Sequence, residues 1–273
     1  NRESKWKTLD GENVEPIQPG TVRECRDFFK KYDGVDGFQI YGNDRYLYQY
    51  ISERYPQDEI KWDMSKIKLV TIDIEVKSEE GFPSPDSCSE EMLSISIQDY
   101  NTKHITTWGR KPYTPTQKNV TYHHYEEEVD MLRAFIDWWN QDPPEVVTGW
   151  NCRLYDIPYM CGRIDRIMGL KTLRQLSPWG LVNHSELYIN GRPHNIFDIV
   201  GVTTLDFMEL YKKFTYVNRE SYRLDFIAET ELGQKKLDHS EFDTFKDFYT
   251  KDWKKFVDYN IVDVELVDRM EDK

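Results

Sequence analysis

Asp73 and Glu75 stand two residues apart in the run Leu69-Val70-Thr71-Ile72-Asp73-Ile74-Glu75-Val76, which is apolar, β-branched and bounded downstream by Gly81, Pro83 and Pro85. That composition predicts a buried strand. Strand side chains alternate with period two, so the two carboxylates leave on the same face. Side by side in apolar surroundings they repel each other and lose solvation. A bound cation or a shared proton relieves both costs, and the pair is therefore read as one part of a divalent metal site. A solvent-facing edge strand would carry the same two residues without any such role.

Two further groups could complete such a site. In Thr148-Gly149-Trp150-Asn151-Cys152-Arg153-Leu154-Tyr155-Asp156-Ile157-Pro158-Tyr159 a strand ends at Gly149, a turn follows, and Pro158 fits the first turn of a helix. Asp156 falls at that helix start, where taken alone it reads as a cap. In Tyr259-Asn260-Ile261-Val262-Asp263 the tyrosine and the aspartate are spaced i, i+4 and share one helix face; taken alone they are an ordinary exposed pair. His123-His124 has no carboxylate or cysteine at ligand spacing and is not read as a metal site.

The elements that must position these residues follow from periodicity. After the first strand come a loop from Ser78 to Glu90 and two candidate strands, Met92 to Gln98 and Lys103 to Trp108, in an antiparallel meander. Tyr125 to Asn140 predicts an amphipathic helix with Val129, Leu132, Ile136 and Trp139 on its apolar face and Glu126-Glu127-Glu128 at its N-terminal end. Asp142-Pro143-Pro144 stops it. Glu145 to Gly149 predicts a short buried strand, and a helix from about Leu154 to Met168 comes next. Strand, helix, strand, helix in this order implies an α/β layer fold. Asn190-Gly191 marks the turn of a hairpin at about 183–200. The remainder from Thr204 reads as mostly helical, with the clearest stripe, Val257, Ile261, Val264 and Val267, in Phe256 to Met270.

Residues 1–66 look different. Asn1 to Gly20 is polar with little periodicity; Val22 to Tyr32 predicts a short helix ended by Asp33-Gly34, and an aromatic segment, Phe38-Gln39-Ile40-Tyr41, precedes a helical stretch from Asp44 to Tyr55. A small α+β region is expected, whether a packing appendage or an independent module.

The chain has 273 residues, 38% of them hydrophobic and 14% aromatic, enough for a substantial core, and a formal net charge of −13. Such a charge argues against a broad nucleic-acid-binding surface, but not against a metal-dependent nuclease, whose carboxylates hold cations and whose DNA contacts are local. Cys25, Cys88, Cys152 and Cys161 form no CxxC pair and suit a reduced cytosolic protein. No signal peptide or bilayer-spanning run is present. The start at Asn1 and the stop at Lys273 suggest a piece of a larger protein.

Taken together, the strand Asp73-Ile74-Glu75, the Asp156 helix that follows Gly149-Trp150-Asn151, and Tyr259-x-x-x-Asp263 resemble the three exonuclease motifs of the DEDD superfamily, with the tyrosine marking the DEDDy branch. The wording is similar to that of family B DNA polymerases, with Ile72 and Tyr155 where many members have phenylalanine. Glu80-Gly81-Phe82-Pro83, Leu210-Tyr211-Lys212-Lys213-Phe214 and Ser221 to Ile227 narrow the resemblance to the T-even-type bacteriophage members. It runs from about Trp62 to Met270.

The resemblance implies an RNase H-like fold: a mixed central sheet flanked by helices over 67–273, with 1–66 as part of the polymerase N-terminal domain. It implies a 3′–5′ proofreading exonuclease acting on the 3′ end of single-stranded DNA in the cytoplasm of a phage-infected bacterium. The palm, fingers and thumb, absent from this chain, would be its partners, and the chain would not polymerise. Asp73, Glu75 and Asp263 would hold one Mg2+ or Mn2+ ion, Asp73 with Asp156 a second, and Tyr259 would orient the attacking water. Phe82 is the candidate wedge against the terminal base, Asn151 could reach sugar or phosphate, and Lys236 stands where relatives place a lysine near the scissile phosphate. The hairpin resembles one that helps to separate primer from template. The alternatives are a stand-alone DEDDy exoribonuclease and a catalytically silent DNA-binding module. RNA binding by the N-terminal region, known among relatives, has no support in residues 1–66.

Overall fold

The computed structural model describes residues 4–41, 46–55, 61, 63–79, 81–189 and 191–273; Asp44, Trp62, Glu80 and Asn190, which entered the sequence reading, lie outside them. The chain divides into two compact units, Asn1–Asp63 and Met64–Lys273.

In the first unit, β1 (Trp6–Lys7) and β2 (Asn13–Val14) form a minimal antiparallel pair, followed by α1 (Val22–Tyr32) and α2 (Tyr46–Arg54). Thr21 and Glu24 start α1 reciprocally: the Glu24 carboxylate accepts the Thr21 N–H at 2.7 Å, and the Thr21 hydroxyl accepts the Glu24 N–H at 3.4 Å. Phe28, Tyr32 and Phe38 stack into a small aromatic cluster.

The second unit comprises β3 (Leu69–Val76), β4 (Met92–Asp99), β5 (Ile105–Gly109), β6 (Val120–His124), α3 (Glu128–Gln141), β7 (Val146–Gly149), α4 (Asp156–Met168), α5 (Leu170–Leu173), the hairpin β8 (Val182–Ile189) and β9 (Arg192–Ile199), β10 (Thr203–Asp206), α6 (Phe207–Phe214), α7 (Leu224–Leu232), α8 (Phe245–Lys251) and α9 (Trp253–Glu271). Six strands form one sheet in the order β10-β7-β3-β4-β5-β6. β4 runs antiparallel to both β3 and β5, while β7 is parallel to β3, β10 to β7 and β6 to β5. This is the mixed central sheet that the α/β, RNase H-like expectation calls for.

β3 is buried on both faces, but the faces differ. Val70, Ile72, Ile74 and Val76 pack with Ile95 and Ile97 against α3 and α4, where Leu132, Phe135, Ile136, Trp139, Ile157 and Met160 close the largest core cluster. Each such side chain contributes about 2 kcal/mol on burial, which fixes both helices to this face. The other face carries Thr71, Asp73 and Glu75 on β3 and Ser94, Ser96 and Gln98 on β4, and α9 covers it. The buried apolar residues of α9, Phe256, Val257, Ile261 and Val264, pack with Leu93, Ile105 and Val120 beside that polar strip.

Three details depart from the periodicity reading. β6 and β10, the two edge strands, fall where no strand is expected. α3 begins at Glu128, and Val129 is 38% exposed; the buried face is built from Met131, Leu132, Phe135, Ile136 and Trp139. Glu128 does more than favour the helix dipole. It is buried, accepts two hydrogen bonds from the Arg163 guanidinium at 2.9 and 2.6 Å, and accepts the Met92 N–H at 2.8 Å. Arg163 also donates to the carbonyls of Cys88 and Ser89, so this pair fastens the loop after β3 to two helices.

Candidate active site

The polar strip between β3 and α9 brings together residues nearly two hundred positions apart. Asp73 and Glu75 come from β3, and Asp263 comes from the middle of α9. One carboxylate oxygen from each lies within 4.8 Å of the other two, the one such cluster of His, Cys, Asp or Glu among the described residues. The register between β3 and β4 shifts between Glu75 and Val76, so the strand bends just past its second carboxylate.

Asp156 approaches from the side. β7 stops pairing with β3 at Thr71, and three residues beyond that point the Ile74 N–H turns to Asp156 Oδ1 at 3.0 Å. Tyr155, not Asp156, takes the N-cap position of α4. The acidic first turn suits the helix dipole, but its side chain ties the helix to β3. Gly149 makes the turn into α4 possible: a Cβ there would lie 2.5 Å from the Ile72 carbonyl oxygen and 2.9 Å from Cys152 Cβ.

Asn151 occupies the left-handed region (φ 63°), which asparagine tolerates. Its N–H and that of Arg153 donate to the two oxygens of buried Asp206, at 3.2 and 3.0 Å. Asp206 also accepts the Glu209 N–H and so caps α6. Sequence reasoning missed Asp206; the spacing to Glu209, an Asp-x-x-Glu start signal, was the available hint.

Lys236, from the segment between α7 and α8, points its ammonium at Asp263 Oδ2 and donates to the Tyr259 hydroxyl at 3.2 Å. It also lies 4.8 Å from the centre of the Tyr259 ring. That ring is held edge-on by His239 and Phe248. Phe82 is 81% exposed, with its ring 4.9 Å from that of Tyr155, and stands in no core cluster. The hairpin is tethered to the same region by Asn195, whose amide donates to Asp86 at 2.8 Å.

The electrostatics follow from crowding. Burial, then Asp263, Asp156 and Glu75, hold the Asp73 carboxyl well above the usual carboxylate range. Burial and Asp263 do the same to Glu75. Burial pushes Asp156 up to about 7, against the opposing Ile74 N–H. Burial also raises Asp263, while Lys236 pulls it down. Burial alone would lower the Lys236 ammonium, but Asp263, Tyr259 and Asp73 outweigh it and the net direction is up. Burial lifts the Tyr259 phenol further above its ordinary value. Asp263 Oδ1 is buried with no hydrogen-bond partner. A buried carboxylate oxygen left unpaired is costly, and an oxygen-only set of this kind suits a hard divalent cation. The residues present therefore fit a metal.

The sequence model of the DNA polymerase family B exonuclease domain matches residues 43–227. The chain is 29% identical to the DNA-directed DNA polymerase of Enterobacteria phage T4 over 97% of its length and 32% of the relative's. It is 28% identical to the DNA-directed DNA polymerase of Escherichia phage RB69, over 90% of its length and 30% of the relative's. A more distant relative is the DNA polymerase catalytic subunit of human herpesvirus 6A, 25% identical over 68% of the chain. The chain spans about a third of the length of the two phage relatives. Tyr259 and Asp263 lie beyond the residues matched by the family model, so their link to Asp73 and Glu75 rests on the geometry above.

Proposed function

The chain belongs to the exonuclease-domain family of family B DNA polymerases, and on that premise we propose that it hydrolyses the 3′-terminal phosphodiester of single-stranded DNA in the 3′–5′ direction, as the proofreading part of a larger polymerase. The observation that carries this is the convergence of Asp73, Glu75 and Asp263 within 4.8 Å, with one buried Asp263 oxygen unpaired. Asp73, Glu75 and Asp263 would hold one divalent ion and Asp73 with Asp156 a second, Mg2+ or Mn2+ by the hardness of the donors. Bound ions of this kind supply a water ionised near neutral pH and charge stabilisation at the leaving oxygen.

The chain's own groups have distinct tasks. Tyr259 orients water through its hydroxyl and is a poor base, since burial holds its phenol protonated. Lys236 holds Tyr259 and Asp263 in register from one side and offers positive charge to a phosphate. Phe82, exposed beside Tyr155, offers a ring on which a terminal base can stack. Asn151 would reach the sugar or a phosphate of the same strand. Residues 1–66 belong on this reading to the polymerase N-terminal domain and 67–273 to the exonuclease domain, with the polymerase domains of the parent protein as partners in the cytoplasm of an infected host. Among the described residues no helix is long and apolar enough to cross a membrane.

The test is digestion of a 5′-labelled single-stranded oligonucleotide. With manganese a ladder shortening from the 3′ end is expected, and a terminal 3′ phosphorothioate or EDTA should stop it. Asp73→Ala should lower the rate at least a thousandfold, about 4 kcal/mol of lost transition-state stabilisation. An intact substrate under conditions in which a control nuclease digests it would overturn the reading. Faster cleavage of the matching ribo-oligonucleotide would point to an RNA exonuclease instead.

A further inference from the structure

Asn260 follows Tyr259 on α9 and is completely buried, at 0% exposure. Its amide reaches in two directions. Nδ2 donates to Asp73 Oδ2 at 2.6 Å. Oδ1 accepts from Ser94 Oγ at 2.8 Å and from Ser96 Oγ at 2.6 Å. Ser96 Oγ is in turn 2.8 Å from Thr107 Oγ1.

The chemistry of the groups fixes the direction of every bond. As a metal ligand Asp73 is ionised, and an ionised carboxylate only accepts, so the amide nitrogen faces Asp73 and the amide oxygen faces the serines. Each serine hydroxyl has one proton, and both are used on Oδ1. Thr107 therefore donates to Ser96. The result is a line of aligned donors, Thr107 to Ser96 to Asn260 to Asp73, that crosses β5, β4, α9 and β3 and ends on a cluster carboxylate. Flipping the amide would set an acceptor against the Asp73 carboxylate.

We propose that Asn260 is a positioning residue for the metal centre: it pins one oxygen of Asp73, leaves the other for a cation, and takes its own orientation from Ser94, Ser96 and Thr107. This rests on the reading of Asp73 as a metal ligand. Residues that orient metal ligands through such hydrogen bonds typically change metal affinity by about 10- to 100-fold when removed.

The experiment is Mn2+ binding to the full chain, followed by the electron paramagnetic resonance signal of free Mn2+, with melting curves in EDTA for every variant. Asn260→Leu keeps the branched shape of the side chain and removes both hydrogen-bonding ends of the amide; its Mn2+ dissociation constant should rise about tenfold or more. The double variant Ser94→Ala/Ser96→Ala leaves Asn260 in place but frees its amide to flip, and should weaken binding several-fold. Val264→Ala, a buried apolar truncation one turn along the same helix, should lower the melting temperature while leaving the Mn2+ affinity unchanged. Should Asn260→Leu fail to fold, the serine pair carries the test. Wild-type Mn2+ affinity in both Asn260→Leu and the serine pair, or in the serine pair alone if only it folds, would overturn the role of Asn260. Absence of Mn2+ binding by the wild-type chain would overturn the metal-centre reading itself, and this inference with it.

Discussion

Glu271 and the site carboxylates share a raised proton affinity and differ in what surrounds them. Burial, then Asp268, pushes Glu271 up to about 7, with Lys103 opposing. One of its oxygens has no hydrogen-bond partner. Yet among the described residues it belongs to no group of three such ligands, whereas Asp73, Glu75 and Asp263 converge within 4.8 Å. A raised carboxyl is thus common to both places, and geometry separates the cation site from a cost of packing. The sign of that cost is testable. Glu271 rises from its usual 4.5 to about 7 on folding, so the native state binds the proton more tightly than the unfolded state. Its contribution is neutral below about 4.5, stability falls as pH rises from there to 7, and the full penalty stands above 7. Glu271→Gln should therefore stabilise the protein by about 1–2 kcal/mol at pH 8, allowing for partial exposure, and by nothing measurable at pH 4.5. Urea midpoints of the two proteins at both pH values read this; an equal gain at both would reject the titration of Glu271 as its cause.

At the scale of elements, the turn between β7 and α4 is the joint on which Asp156 depends. β7 runs parallel to β3 and ends at Gly149, where the Ile72 carbonyl oxygen leaves no room for a side chain. Gly149→Ala must push β7 away from β3 or displace Cys152, which is itself buried. An overpacked core of this kind costs about 1–3 kcal/mol. The same shift moves Asp156 off the Ile74 N–H, so melting temperature and Mn2+ affinity should fall together; a variant that melts lower but binds Mn2+ as before would separate the joint from the site. The sequence made this joint legible in outline, because Gly149 closes an apolar run and Pro158 opens a helix. β3, β4, β5, α3, α4 and α9 were legible because each buries apolar side chains at the spacing of its element, whereas the hairpin, whose strands are largely exposed, was legible from the Asn190-Gly191 turn signal. The edges were not. Val-Thr-Tyr-His-His of β6 and Thr-Thr-Leu-Asp of β10 are short and half exposed, so one neighbour, not burial, makes them strands. Asp206 and Asn260 were also silent. Asn260 occupies a position of the buried stripe of α9 between Val257 and Val264; a polar residue there was the available sign that the facing strand carries polar partners.

At the scale of the molecule, everything proposed for catalysis lies in one unit. Asp73, Glu75, Asp156, Lys236, Tyr259, Asn260 and Asp263 all fall within Met64–Lys273. The three hydrophobic core clusters are drawn from residues of that unit. In the first unit neither α1 nor α2 has a buried residue, so its stability comes from capping and a few aromatic contacts. A domain of about two hundred residues with its own closed core is expected to fold alone. Met64–Lys273 produced by itself should melt cooperatively, within about 5 °C of the full chain, since removing a unit with so little burial costs about 1 kcal/mol or less. It should also bind Mn2+ with the affinity of the full chain, because every proposed ligand and every member of the Asn260 line comes with it. Calorimetry together with the Mn2+ titration decides this. A shortened chain that folds but binds Mn2+ tenfold more weakly would mean that residues 1–63 act on the site, and their part would then be catalytic support and not accessory packing.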